Sequence, residues 1–118
     1  MSTTGNSGAG LLDRDVAMAR VGGDADLLTE IAGLFLEECP KMLTQLAAAI
    51  ESGDAATAGR TAHSLKGSVA NFGASAVVKA ALELEQSGRA GDLTHAPEVF
   101  SELKRLLASL HGELASLR

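Results

Sequence analysis

Between Asp24 and Gly53 the apolar residues Leu27, Leu28, Ile31, Leu34, Phe35, Met42, Leu43, Leu46 and Ile50 recur at spacings of three and four. That rhythm returns to one face of a helix every turn, so the segment is expected to be a single long amphipathic helix. Asp24 suits its N-cap. Pro40 lies inside it, yet the spacing resumes in register beyond, so the proline is expected to kink the helix without ending it. A helix with one oily stripe must bury it against others. The rest of the chain supplies them.

Hydrophobic residues make up 46% of the 118, yet Trp and Tyr are absent and Phe occurs three times, so the core has to be aliphatic. Leu and Ala favour helix, and the residues that favour strands are sparse. A chain of this length forms one domain, able to bury roughly two thirds of its surface. "LLDRDVAMARVGGD" reads as a short opening helix stopped by Gly22 and Gly23. After the long helix, Gly53 and Asp54 supply a stop and a start. A further helix runs to about Asn71 and ends at Gly73. Ser75 is placed to cap the next, with Val77, Ala81 and Leu84 on its stripe, running to about Ser87; "SGRAGD" follows as a loop. Thr94 and Pro97 mark the last start, and Val99, Leu103, Leu106, Leu110, Leu114 and Leu117 repeat at helical spacing. The expected fold is all-α: an antiparallel up-and-down four-helix bundle over 11–118, with a short extra N-terminal helix. "MSTTGNSGAG" (1–10) reads as a flexible tail or linker stump. The initial Met and this tail favour a separate protein, with a piece of a hybrid kinase left open.

The formal charge of −5 comes with no basic stripe, only pairs such as Lys104–Arg105, which argues against nucleic acid as a partner. No apolar run approaches a membrane span, and no signal-like core begins the chain, so a cytoplasmic setting is expected. The single cysteine, Cys39, is expected to be a small buried filler.

The helix "AATAGRTAHSLKGSVA" divides into two faces at about 100° per residue. Ala58, Ala62, Leu65 and Val69 make the core stripe, continued by Phe72. His63, Lys66, Gly67 and Ala70 share another, extending back through Gly59 and Ala56. The imidazole is therefore expected to stand out among residues with almost no side chain. Glycine inside a helix costs roughly 1 kcal/mol against alanine, a sacrifice that makes sense if another surface must come close. A neutral imidazole offers a nitrogen lone pair that can attack phosphorus. The ammonium of Lys66, one turn on, would stand beside the dianion formed.

At these residues the chain resembles a known family. "AHSLKGSVANFG" is similar to the signature of histidine phosphotransfer (HPt) domains, A-H-x-L-K-G followed by a spaced glycine. "GGDADLLTEIAGLFLEECPKMLTQLAAAIESGD" looks like the family's long preceding helix, and "LELEQSGRAGD" like the turn after the next one. The resemblance implies a phosphorelay intermediate, with His63 the phosphoacceptor, Lys66 steadying the phosphate, Gly67 giving clearance and Gly73 making the turn. It implies response-regulator receiver domains and a hybrid sensor histidine kinase as partners. Many members carry a polar residue, often Gln, 22 positions after the histidine; here that is Glu85, with Gln86 beside it. A carboxylate at 85 could accept the imidazole N–H and free the other nitrogen, but it would also repel an incoming phosphate. The competing reading is a solvated helix surface.

Arg60 is placed to attract an acidic receiver surface, Ser64 lies on the rim, and Ala56, Gly59, Ala70 and Gly73 complete the expected docking face. His95 and His111 lack a Lys-Gly neighbourhood and read as structural. Nothing resembles a nucleotide-binding loop, so no kinase activity of its own is expected. No metal or cofactor is expected either, the Mg²⁺ of phosphoryl transfer belonging to the partner receiver. The competing function is a non-catalytic helical adaptor that binds a response regulator without phosphotransfer. An enzyme using His63 with a metal or a paired base lacks its second group. Four helices can close their own core, so a monomer is expected.

Overall fold

A computed structural model describes residues 11–117; the tail expected at 1–10 lies outside them. The described residues form five helices: α1 (Arg14–Arg20), α2 (Ala25–Ser52), α3 (Ala55–Ala70), α4 (Ser75–Ala90) and α5 (Ala96–Ala115). Aspartates begin three of them: Asp13, Asp24 and Asp54 accept from the amides of Val16, Leu27 and Thr57, satisfying donors that the first turn cannot pair internally. α2 runs unbroken through Pro40. Gly53 ends it in the left-handed conformation, φ 75°, which glycine adopts without steric cost.

α2 to α5 make the up-and-down bundle. Each packs on its neighbour in sequence, α2 closes the ring against α5, and the closest pairing is α3 with α4. The core is aliphatic as expected: Leu46, Leu65, Leu84, Leu103, Leu107, Leu110 and Leu114 are all buried. Phe72 is the largest fully buried side chain, its ring 5.5 Å from that of Phe35. His111 stands edge-on to Phe35, with centroids 6.0 Å apart, and burial lowers its pKa. α1 caps one end of the bundle. The Asp13 amide donates to the Phe72 carbonyl, and the Glu113 carboxylate accepts from the amides of Leu11 and Leu12.

Four details depart from expectation. Leu34 and Leu27 are 61% and 40% exposed. The buried line of α2 runs instead through Leu28, Ala32, Phe35, Cys39, Leu46 and Ala49, whose small members let its neighbours approach. Leu27 and Leu34 fall about 100° or more to one side of that line. Ser75 does not cap α4; the cap position is Ala74, which is fully buried and leaves no room for a solvated hydroxyl. Thr94 does not cap α5, because its hydroxyl is taken by Asp92 at 2.6 Å, and His95 precedes the helix without a side-chain cap. Finally, α4 continues past Ser87 to Ala90, and Gly91, at φ 70°, supplies the stop. That last turn bears on the site.

Candidate functional site

Ala58, Ala62, Leu65 and Val69 are fully buried, so α3 turns its opposite side outward as its periodicity requires. On that side the His63 side chain is 61% exposed. Its Nδ1 lies 2.9 Å from Oε2 of Glu85 on α4. A carboxylate only accepts, so Nδ1 must be the donor and carry the proton. That fixes the tautomer. Nε2, across the ring, is left with its lone pair and, among the described residues, without a hydrogen-bond partner.

Glu85 is 2% exposed, which replaces the solvated-surface reading with a buried carboxylate. Gln86, beside it, is exposed. The Lys66 ammonium is 2.7 Å from Oε1, and the Arg89 guanidinium is 2.6 Å from Oε2. A buried anion is tolerable only when paired, and here two cations and an imidazole N–H converge on it. The hydrogen bond from Lys66, then that from His63 and the charge of Arg89, hold the carboxyl below its usual range against the opposing effect of desolvation. Lys66 is thus engaged with Glu85 and only 27% exposed, whereas Arg89 is 71% exposed.

The glycines divide by purpose. A Cβ on Gly67 would meet nothing within 4 Å, so its bare helix surface is open. Gly59 is different: it is buried at the crossing of α3 and α4. A Cβ on Gly88 would come within 2.5 Å of the Gly59 Cα and N. The two backbones touch, and this close approach lets a residue as short as Glu reach from α4 to His63. Gly59, expected as docking clearance, therefore serves helix packing. Gly73 makes the expected turn at φ +63°, but a Cβ there would strike Asp13 and Val16, so its outer side is occupied by α1.

Ala56, Gly59, Arg60, His63, Ser64, Gly88 and Arg89 line one groove between α3 and α4. Ala56, Arg60 and Ser64 are exposed there, and Ala70 is half-buried farther along α3. Gly88 and Arg89 were missed by sequence reasoning because α4 was ended at about Ser87, three residues too soon. The available signal was the Glu85–Arg89 spacing of four, a favourable helical ion pair. Among the described residues no group of three His, Cys, Asp or Glu side chains could hold a metal ion. Nor is any helix there long and apolar enough to cross a membrane.

An exposed imidazole with one nitrogen committed to a buried carboxylate suits phosphoryl carriage, and comparison with known proteins agrees. The family model for the Hpt domain matches residues 30–113. The chain belongs to the Hpt domain family. This Hpt domain is also similar to a solved structure, the histidine-containing phosphotransfer protein B (HptB) of Pseudomonas aeruginosa PAO1. The two are 30% identical, with 92% of this chain and 94% of that one covered and a TM-score of 0.84. No curated protein sequence matches the chain significantly. The resemblance and bundle expected from sequence are both borne out, and histidine phosphotransfer in two-component phosphorelays is the role of this Hpt domain.

Proposed function

We propose that His63 is the phosphoacceptor, and that it takes a phosphoryl group from the phospho-aspartate of one receiver domain and passes it to the aspartate of another. The observation that carries this reading is the 2.9 Å contact between Nδ1 and Glu85, which leaves Nε2 as the exposed nucleophile. In the forward step the Nε2 lone pair forms the N–P bond as the P–O bond to the donor aspartate breaks, and the aspartate leaves as a carboxylate. The ring becomes cationic and keeps its Nδ1 proton on Glu85. In the onward step the acceptor carboxylate attacks phosphorus and a neutral imidazole leaves, so no proton need move in either direction.

The chain supplies the carrier, and the Mg²⁺ that receiver chemistry uses would be held by the receiver. Gly67 gives a receiver clearance beside the ring, and Ala56, Arg60, Ser64 and Ala70 form the surrounding contact surface. A hybrid sensor kinase fits as the upstream source, and the chain is proposed to act as a monomer. Incubation with a phosphorylated receiver is expected to label the wild-type chain with an acid-labile, base-stable phosphate. The His63→Gln variant is expected to take none. Label retained in that variant would reject the assignment, and receiver binding without label on the wild type would favour the adaptor.

A further inference from the structure

Arg89 has no role in the reading just given, yet its guanidinium forms an ion pair, at 2.6 Å, with the same oxygen of Glu85 that accepts from His63 Nδ1 at 2.9 Å. Arg89 is 71% exposed and stands on the groove whose floor is the Gly59–Gly88 crossing. Arg60, on the α3 side of the groove, donates instead to the Thr57 hydroxyl. Once Nε2 carries a phosphoryl group, a dianion lies beside a buried carboxylate that bears one negative charge already. Three positive charges face those three negative ones: Lys66, the cationic ring and Arg89. Lys66 is largely enclosed on Oε1. Arg89 is the cation with room to turn.

Resting on the assignment of His63 as phosphoacceptor, we infer that Arg89 is a phosphoryl-binding residue, held in store on Glu85 and redirected to the phosphoryl oxygens in the groove as the N–P bond forms. Bonds break and form as given above, and Arg89 supplies charge-assisted hydrogen bonds to the equatorial oxygens without exchanging a proton. Its planar fork suits two phosphoryl oxygens at once. An exposed position at the last turn of α4 means that replacing it leaves the bundle intact.

The test compares full-length wild type, Arg89→Gln, Arg89→Lys and the Glu85→Gln/Arg89→Gln double variant, with circular dichroism to verify folding. Two phosphodonors are used: a receiver domain charged with acetyl phosphate, and phosphoramidate, which needs no docking surface. With both donors Arg89→Gln is expected to be phosphorylated at least about tenfold more slowly, the scale of losing one donor to developing charge. Arg89→Lys should recover part of the rate. The double variant, with one negative charge fewer, should recover part of the loss in Arg89→Gln. Wild-type rates in Arg89→Gln, or a loss seen with the receiver alone, would overturn the inference, the latter by reducing Arg89 to a docking contact. Failure of the double variant to recover would overturn the charge matching. Absence of His63 label on the wild type with both donors would instead count against the phosphoacceptor assignment itself.

Discussion

Glu85 Oε2 lies 2.9 Å from His63 Nδ1 while the carboxylate itself is 2% exposed, so the exposed ring is oriented by a buried anion on the neighbouring helix. The consequence is a difference between two substitutions. Glu85→Gln keeps an oxygen that can accept from Nδ1, whereas Glu85→Ala leaves the ring free to rotate and change tautomer. Phosphotransfer to His63 is expected to fall roughly a hundredfold in Glu85→Ala and distinctly less in Glu85→Gln, the upper end of the scale for losing the partner that orients a functional histidine through its other ring nitrogen. Equal rates in the two variants, measured with one phosphorylated receiver, would show that charge rather than orientation matters at this position.

The Gly59–Gly88 crossing should be as demanding as the core. A methyl group on residue 88 would lie 2.5 Å from the Gly59 backbone and 2.7 Å from the Ala55 carbonyl oxygen, and neither can move aside alone. Gly88→Ala is expected to cost about 1–3 kcal/mol by forced separation of the helices, and to slow transfer by drawing Glu85 away from the ring. Gly59→Ala, whose Cβ would sit at 3.4 Å, should be milder. Denaturant melts of both variants test the order.

Much of this arrangement was legible beforehand because it depends on period and on glycine. The bundle followed from apolar spacing, the starts at Asp24 and Asp54 from capping chemistry, and the outward His63 from its place opposite Ala58, Ala62, Leu65 and Val69. The failures have a common physical origin. Sequence periodicity describes one helix at a time, whereas Leu34's exposure, the Gly59–Gly88 contact and the burial of Glu85 are set by how closely two helices approach. Gly88 looked like the beginning of a loop because glycine usually ends a helix; the partner backbone that requires it is 29 residues away in the chain. Arg89 was lost with it.

Acid should weaken the domain partly through Glu85. Its pKa in the folded chain lies below the ordinary 4.5, held there first by Lys66. A lowered carboxyl pKa contributes stability that is present above the unfolded value and lost as pH falls through the folded one. The stability gap between wild type and Glu85→Gln is therefore expected to be widest near neutrality and to shrink on acidification below about 4.5. Thermal melts from pH 7 to 3 check the sign.

Cys39 should be chemically silent in the native state. It is fully buried on α2, and desolvation pushes its thiol up to about 11. Since thiolate is the reactive form, iodoacetamide at pH 8 is expected to leave it unmodified until the bundle is unfolded, when alkylation becomes rapid. Mass spectrometry with and without denaturant distinguishes the two.

Gly67 offers the most direct separation of stability from function. Its Cβ position is open, and it sits in the interior of α3, so nothing within the chain calls for glycine there. Gly67→Ala is expected to raise stability by about 0.5–1 kcal/mol, the ordinary gain from replacing glycine in a helix interior. A receiver that must bring its phospho-aspartate up to Nε2 meets the new methyl one turn from the ring, so transfer from the receiver should slow. Phosphorylation by phosphoramidate, which is too small to feel the obstruction, should not. A bulkier Gly67→Leu should deepen the first effect and still spare the second. If both donors slow together, the glycine acts on the imidazole and not on the approach of the partner.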